Sequence, residues 1–259
     1  MLVKEVPDVT VAKRIDPATG RLDRSGEGRL NPYDAHAIEA AVVLRERGAG
    51  VGEVVAVSMG PPSTARILQQ ALSRGADRSI HLTDPVLAGS DLNGTARALS
   101  AVLAREKPDL VLLGQQADDA ECYALAAAVA EHLAAPSLSQ VVSIAVDAGR
   151  LTCRRQAEYG YDDVSVELPA VIAVAEGINE PRYPSLKAIM AARAKPAETL
   201  SAADAGIDPE HVGHANARAL CFDFTPPPAR PPARVIEASD PEATVRAIVE
   251  WLDERRLLA

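Results

Sequence analysis

The stretch Pro108–Leu133, PDLVLLGQQADDAECYALAAAVAEHL, decides the fold of this chain of 259 residues. Its apolar run LVLL follows a proline closely and is typical of a buried parallel strand. Gly114 ends that strand, and the Ala- and Leu-rich sequence from Asp119 predicts a helix. A strand, a tight loop over Gly114–Asp118 and a helix form the unit that directs backbone N–H groups towards an anion.

Acidic residues within this stretch weigh against a phosphate ligand. Asp118, Asp119 and Glu121 put negative charge at the positive end of the predicted helix, which stabilises the helix but repels an anion. Backbone donors can still bind a phosphate if these side chains point outward. The pattern alone therefore leaves both a nucleotide site and a plain strand-to-helix turn open.

Upstream of this stretch, short apolar strands alternate with helices. The turn residues Asp16–Gly20 predict a surface hairpin between Val11 and Leu30. Asn31-Pro32-Tyr33-Asp34 opens a helix, with Asn31 at the capping position. Further elements are predicted as strands at Val54–Met59 and Arg78–Leu82 and as helices at Ser63–Arg74 and Asp91–Glu106. Crossovers of about a dozen residues or more indicate a parallel sheet that is covered on both faces.

After Pro136 the pattern changes to polar and apolar alternation. An antiparallel meander is predicted from strands at Val141–Val146, Leu151–Tyr159 and Val164–Leu168. An apolar strand at Ala170–Ala175 and a helix at Leu186–Arg193 follow, and past Lys195 no regular alternation is apparent. Thr225–Arg234 reads as a polyproline linker before a last helix at Asp240–Leu257.

Composition excludes several functional classes. The net charge of −9 argues against nucleic acid and against an anionic membrane surface as partner. No apolar run approaches the roughly 20 residues that a membrane helix needs, and Lys4 and Glu5 near the start predict that the chain has no signal peptide. The three cysteines are far apart and form no CxxC, which favours a reducing cytoplasm over a disulfide framework.

Other motifs do not predict a catalytic site. Gly48–Gly52 resembles a dinucleotide loop, but it precedes a strand where such a loop would follow one. His211 and His214 form an HxxH within a loop, where two solvated histidines are the simpler interpretation than a metal site. The sequence has neither a P-loop nor a nucleophile elbow. We therefore expect no catalytic residue, no metal and no substrate turnover by this chain alone.

The chain resembles the β subunit of electron-transfer flavoprotein, of the ETF β/FixA family, over essentially its whole length. The most specific resemblance lies in Leu168–Met190, which contains Arg182-Tyr183-Pro184-Ser185-Leu186. Shorter matching motifs occur in the right order, and they are Val3–Asp8, Asn31–Asp34, Val57–Gly60, Gly75–Asp77 and Gly114–Ala117. The resemblance implies an α/β fold with a Rossmann-like parallel sheet of the adenine-nucleotide α-hydrolase type, an added antiparallel meander and an extended C-terminal arm.

The resemblance also implies the domains and partners. Residues 1–195 would form the nucleotide-binding domain, and residues 196–259 a Pro-rich linker and C-terminal helix that wrap on an α subunit. That α subunit would hold most of a redox-active FAD, while this chain would bind AMP. Electrons would pass between an acyl-CoA or other dehydrogenase and a quinone-reducing acceptor.

Site residues follow from the resemblance position by position. Tyr33 would lie towards the α-subunit flavin, and Arg182, Tyr183 and Leu186 would dock the dehydrogenase. The nucleotide pocket would be lined by Leu2, Asn31, Pro32, Tyr33, Asp34, Met59, Gly114, Gln115, Gln116, Ala117, Asp119, Glu121, Cys122, Tyr123, Ala124 and Leu125.

Some details keep alternatives open. Ser58–Pro62 and Ala88–Asp91 lean towards the bifurcating branch of the family, in which a second FAD reduced by NADH replaces AMP. Cys122–Leu125 stand where relatives usually carry Thr, Asn or Gln, so side-chain donors to a phosphate are mostly missing. AMP, FAD or an empty pocket therefore all remain open. Rival functions are an adenine-nucleotide-binding regulatory domain without redox partners and an ATP-using enzyme of the same fold.

Overall fold

The computed structural model describes every residue except 9, 18, 49, 51, 148, 222, 226, 227, 230, 231, 234, 237–239 and 259. Contacts divide the chain into two compact units, Met1–Phe222 and Asp223–Ala259. The strands in chain order are β1 Glu5–Pro7, β2 Ile15–Asp16, β3 Arg21–Leu22, β4 Gly28–Leu30, β5 Val55–Met59, β6 Arg78–Leu82, β7 Leu110–Gly114, β8 Ser137–Asp147, β9 Arg150–Ala157, β10 Gly160–Glu167, β11 Ala170–Val174 and β12 Ala197–Leu200. The α-helices are α1 Pro32–Glu46, α2 Ala65–Ser73, α3 Leu92–Glu106, α4 Leu125–Leu133, α5 Leu186–Ala192 and α6 Pro241–Glu254.

Two sheets with parallel strands lie side by side in the first unit. One has the order β12-β6-β5 and is entirely parallel. The other has the order β10-β9-β8-β11-β7, in which β7, β11 and β8 are parallel and β8, β9 and β10 form an antiparallel meander. This α/β architecture confirms the predicted fold class.

Residues 1–3 connect the two sheets. The backbone N–H of Leu2 donates to the carbonyl of Leu112 in β7, and that of Val3 donates to the carbonyl of Val57 in β5, both at 2.9 Å. The strand β5, which follows α1, lies on one side of this segment. The strand β7, which follows α3, lies on the other side. Such a reversal marks the position where open α/β sheets bind ligands, at the carboxyl ends of the strands.

A hydrophobic core covers each face of the sheets. Val3 and Leu112 pack with residues of α1 and α2 in one core. Their neighbours Leu2 and Leu113 pack with residues of α3 and α4 in the other. Successive side chains of a strand point to opposite faces, so a strand covered on both sides must be apolar throughout. This requirement explains the unbroken run LVLL.

The meander and the hairpin are confirmed, the latter by the pairing of β2 with β3. Two predictions at element boundaries were wrong. The helix expected from Asp119 begins at Leu125, six residues later. The alternation does not stop at Lys195, because β12 adds a parallel strand beside β6. The spacer Thr225–Arg234 lies partly outside the described residues, as do the loop Gly48–Gly52 and the turn at 147–149.

The second unit contains α6. Asp240 caps this helix through a hydrogen bond from the backbone N–H of Glu242 at 3.0 Å. Val245, Ile248 and Val249 remain about half exposed on it. The boundary between the units follows Phe222, whereas the sequence placed a boundary at residue 195. Within the described part of the chain, no helix is both long and apolar enough to span a membrane.

Candidate functional site

The predicted pocket residues come together at the carboxyl ends of the central strands. Met59 ends β5 and Gly114 ends β7, while buried Leu2 lies between these strands. The first turn of α1, which contains Pro32 and Tyr33, lies against Gly114 at this edge. A Cβ on Gly114 would lie only 2.5 Å from the Tyr33 Cβ, so this contact requires glycine.

Asp34 is a buried titratable group at this edge. Its carboxylate accepts hydrogen bonds from the backbone N–H of Lys4 at 2.8 Å and of Gly114 at 3.1 Å. Burial raises the pKa of Asp34 to about 7, although both hydrogen bonds oppose that rise. Asp34 thereby ties the N-terminal segment and the end of β7 to α1, and it exchanges its proton near neutral pH.

Asn31 connects α1 to the loop after β7. It occupies the predicted N-cap position, but its side chain makes no cap hydrogen bond. Its amide nitrogen donates to the carbonyl of Gln116 at 2.8 Å, and its amide oxygen accepts from the N–H of Asp118 at 3.1 Å. Since Asn31 is almost fully buried, these two bonds determine the course of the loop.

The loop runs from Gln115 to Ala124 without helical structure beyond a turn at Ala117. The carbonyl of Ala117 accepts the N–H groups of Ala120 at 3.1 Å and Glu121 at 2.9 Å. Glu121 and Tyr123 then have positive φ values of 44° and 52°, which break the helical path. This loop geometry explains why α4 starts later than its sequence suggested.

Asp119 is held by two basic side chains. Its carboxylate is buried, and it pairs with Lys4 Nζ at 2.7 Å and with the guanidinium of Arg24. Burial alone would raise the pKa of Asp119, but Lys4 and Arg24 outweigh it and hold this pKa below its usual range. The carbonyl of Asp118 accepts from Lys13 Nζ at 2.5 Å. The repulsion expected between Asp119 and an anion at the helix end is therefore neutralised.

Two amide oxygens at this site are buried without a hydrogen-bond partner in the described chain, Oε1 of Gln115 and Oε1 of Gln116. Burial raises the pKa of the Tyr33 phenol, and the Gln116 side chain partly opposes that rise. Buried polar atoms in native proteins are nearly always hydrogen-bonded, so such oxygens suit donors on a ligand. Cys122 and Tyr123 are exposed at the rim of the loop, and Ala124 and Leu125 lead into α4.

The predicted docking residues differ sharply in exposure. Tyr183 and Leu186 are 92% and 76% exposed. The Ser185 hydroxyl between them caps α5 by accepting the N–H of Ala188 at 3.2 Å. Exposure of two large side chains on one short segment is typical of an interaction site.

Arg182, in contrast, is held by α1. Its guanidinium donates to the Glu39 carboxylate at 2.7 and 2.9 Å and to that of Glu46 at 2.7 and 2.8 Å. These hydrogen bonds raise the pKa of Arg182 and lower that of Glu46. Glu46 and nearly buried Glu39 lie two helical turns apart on one face of α1, so a single guanidinium reaches both carboxylates.

Several contacts of the site were not predicted from the sequence. Lys4, Lys13 and Arg24 hold the loop from distant positions, and no local signal marks them. His36 and Asn179 form a further link between α1 and residues 179–190, which we call the docking segment after its predicted role. The Asn179 amide nitrogen donates to the His36 carbonyl at 3.0 Å. The described residues contain no group of three or more metal-ligating side chains.

These elements define an α/β protein of the adenine-nucleotide α-hydrolase type, with a polar loop site at the sheet edge. The profile of the electron transfer flavoprotein domain matches residues 19–205. The chain is 36% identical to the electron transfer flavoprotein subunit beta of Mycobacterium tuberculosis over 235 residues, which cover 89% of this chain and 88% of that protein.

Other relatives match over nearly the full length. The electron transfer flavoprotein subunit beta of Thermoanaerobacterium thermosaccharolyticum is 33% identical, with 100% of this chain and 98% of that protein covered. The caffeyl-CoA reductase-Etf complex subunit CarD of Acetobacterium woodii is also 33% identical, with 98% and 97% covered. The chain belongs to the electron transfer flavoprotein family, as a β subunit, and it is an electron-carrier subunit and not a catalytic enzyme.

Proposed function

We propose that this chain forms a heterodimer with an electron transfer flavoprotein α subunit and binds AMP in the loop site. The heterodimer passes electrons between a dehydrogenase and an acceptor through an FAD that the α subunit mainly holds. One observation carries the proposal. Asn31 and Asp119 hold the loop Gln115–Ala124 in place at the carboxyl ends of the central strands, where sheets of this type bind ligands.

The site residues fit a mononucleotide. The N–H groups in the first turn of α4 have no partners within the helix, and the helix dipole favours a phosphate there. Asp119 is neutralised by Lys4 and Arg24, so it does not oppose such a ligand. The unpartnered oxygens of Gln115 and Gln116 can accept hydrogen bonds from an amino or hydroxyl group of the nucleotide.

The remaining residues of this proposal act by positioning. FAD supplies the redox chemistry, and this chain contributes Tyr33 on the side of the α-subunit flavin. Leu2, Pro32, Met59 and Ala117 contribute the wall of the nucleotide pocket. No proton transfer by a residue of this chain is required for such a role.

Docking of redox partners is part of the same proposal. Tyr183 and Leu186 are the exposed anchors for an acyl-CoA dehydrogenase or another dehydrogenase. The complex would then deliver its electrons to a quinone-reducing acceptor. Together with the scattered cysteines, this role is consistent with a cytoplasmic location.

The nucleotide content of the heterodimer tests the proposal. We expect co-expression with the α subunit to give a yellow complex that releases one FAD and one AMP per heterodimer on denaturation. Two FAD per heterodimer would instead support the bifurcating alternative, which the motifs at Ser58–Pro62 and Ala88–Asp91 favour.

A colourless chain that binds adenine nucleotide but forms no complex with the α subunit would contradict the proposal. It would favour the regulatory alternative. AMP and pyrophosphate formed from ATP would identify an enzyme of the same fold. One FAD without AMP would retain the electron-transfer role and exclude the nucleotide site.

A further inference from the structure

A cleft of about 610 Å³ lies between α2 and the docking segment, on the face of the sheet opposite α3 and α4. Arg66 and Arg74 line it from the side of α2, and Arg193 lines it at the end of α5. Of the eight described residues that line the cleft, none is acidic. Three arginines among eight lining residues are notable in a chain of net charge −9. We call this feature the arginine cleft.

The three guanidinium groups differ in how far the chain itself satisfies them. Arg66 bonds the Glu27 carboxylate and the carbonyl of Gly28. Arg74 donates one hydrogen bond to the carbonyl of Arg182 at 2.6 Å, but its Nε is buried without a partner among the described residues. Arg193 is exposed and has no side-chain hydrogen bond or ion pair within the described part of the chain. Unbalanced positive charge therefore remains at Arg74 and Arg193.

The environment of Arg74 favours an anion in the cleft. Burial holds the pKa of Arg74 below its usual range, because the charged guanidinium has lost much of its contact with water. A carboxylate nearby would compensate that loss, and a guanidinium pairs with it in a fixed and directional geometry. A neutral acceptor would offer a hydrogen bond but no opposite charge.

Apolar surface continues directly from the arginine cleft. Pro184 and Ile189 line the cleft and belong to the same segment as Leu186 and Met190, which are 76% and 56% exposed. A small free anion would contact the arginines but would leave this apolar surface in water. A protein surface that presents a carboxylate beside an apolar pocket complements both parts.

We propose that the arginine cleft binds a carboxylate side chain of the dehydrogenase that docks on Tyr183 and Leu186. This inference rests on the proposed electron-transfer function, and it names the chemistry of the partner at that contact. The apolar anchors supply most of the binding energy. The charge pair increases the association rate and fixes the orientation of the two proteins.

Substitution of Arg193 tests this inference in the complete αβ complex. The matched control is Lys107→Gln, because Lys107 is also an exposed cation that follows a helix, and its helix α3 covers the opposite face of the sheet. Reduction of the complex by an acyl-CoA dehydrogenase of the same genome is measured against complex concentration and sodium chloride. Arg193→Gln should raise KM for the complex about threefold to tenfold with kcat unchanged, and it should weaken the salt dependence of kcat/KM. Arg193→Lys should recover part of this loss.

The outcomes separate this inference from the proposed function. If the unmodified complex is reduced and both Gln variants have the same KM, the arginine cleft has no docking role, while the electron-transfer function stands. If inorganic phosphate inhibits beyond chloride at equal ionic strength and Arg193→Gln removes only that inhibition, the cleft binds a free anion and the docking role is refuted. If the unmodified complex accepts no electrons from the dehydrogenase, the proposed docking function and this inference fail together.

Discussion

At the scale of residues, Asn31 has the most specific role in the candidate site. Its amide both donates to Gln116 and accepts from Asp118, so it holds two separate points of the loop. The sequence predicted Asn31 as a helix cap from its position before Pro32. It could not reveal the actual partners, because they lie more than 80 residues away in the chain.

We expect Asn31→Ala to lower the free energy of unfolding by about 1–3 kcal/mol, because it leaves a partly buried carbonyl and a partly buried N–H unpaired. The loop should lose its fixed conformation, and the AMP content of the purified complex should fall. Urea unfolding and nucleotide analysis measure the two effects. The matched control is Asn216→Ala, which removes two hydrogen bonds from an exposed asparagine. Equal stability of the two variants would contradict the role of Asn31.

A second prediction concerns Asp34 and the pH dependence of the free energy of unfolding. Burial raises the pKa of Asp34 from the ordinary 3.8 to about 7, so between these values the native state holds a proton that the unfolded chain has lost. The contribution of Asp34 to stability is therefore complete below about pH 4 and is lost as the pH rises towards 7. The total change is about 4 kcal/mol at most, from roughly three pH units.

Asp34→Asn should remove this part of the pH dependence. The difference in unfolding free energy between the unmodified chain and Asp34→Asn should decline steadily from about pH 4 to pH 7. Urea unfolding over this range measures it. Asp204→Asn serves as a control, because hydrogen bonds from Ser201 lower the pKa of exposed Asp204, in the direction opposite to the shift of Asp34. A pH-independent difference for Asp34→Asn would disprove the assignment.

At the scale of elements, most strands and helices were predictable because each has its own periodicity. β7 and β11 are apolar throughout, since both of their faces are covered, and the meander alternates because one face is solvated. α4 was misjudged because the residues after Asp119 favour a helix locally, while Lys4, Arg24 and Asn31 hold them in a loop. β12 was missed because a short strand of mixed polarity at the edge of a sheet has no strong pattern of its own.

Helix α1 contacts both the loop after β7 and the docking segment. Its N-terminal end holds Gly114 and the loop Gln115–Ala124 through Asp34 and Asn31, and its middle and end bind the docking segment through Glu39 and Glu46. Arg182 is the central residue of the second contact. The family resemblance predicted Arg182 as a docking residue, but the sequence could not show that the guanidinium binds the protein's own helix.

Arg182→Gln should release the docking segment. We expect the free energy of unfolding to fall by about 1–3 kcal/mol, because nearly buried Glu39 loses its partner. Amide hydrogen exchange should become faster over residues 179–190, whereas the exchange rates in the meander β8–β10 should not change. The control is Arg154→Gln, which breaks a bidentate pair with Asp163 whose two side chains are both more than half exposed. No change in exchange at 179–190 would refute the role of the Arg182 ion pairs in holding this segment.

At the scale of the whole molecule, the described chain leaves one amphipathic helix without an apolar partner inside its own unit. Val245, Ile248 and Val249 of α6 are 59%, 45% and 47% exposed. The proposed heterodimer gives this surface a function, since contact with the α subunit would bury it. Burying one such side chain stabilises a complex by about 1.5–3 kcal/mol.

Ile248→Ser should therefore weaken binding of the α subunit about tenfold to a hundredfold, because it removes a large apolar side chain from that contact. Glu250→Ser is the matched control, because residue 250 lies on the opposite side of the same helix and both variants introduce serine. Sedimentation of the mixed subunits gives the affinity, and retained FAD gives a second measure. The first unit has its own core, so its unfolding should be unaffected by either change. If both variants bound the α subunit equally well, the exposed face of α6 would not be the contact, and the arm would serve another purpose in the complex.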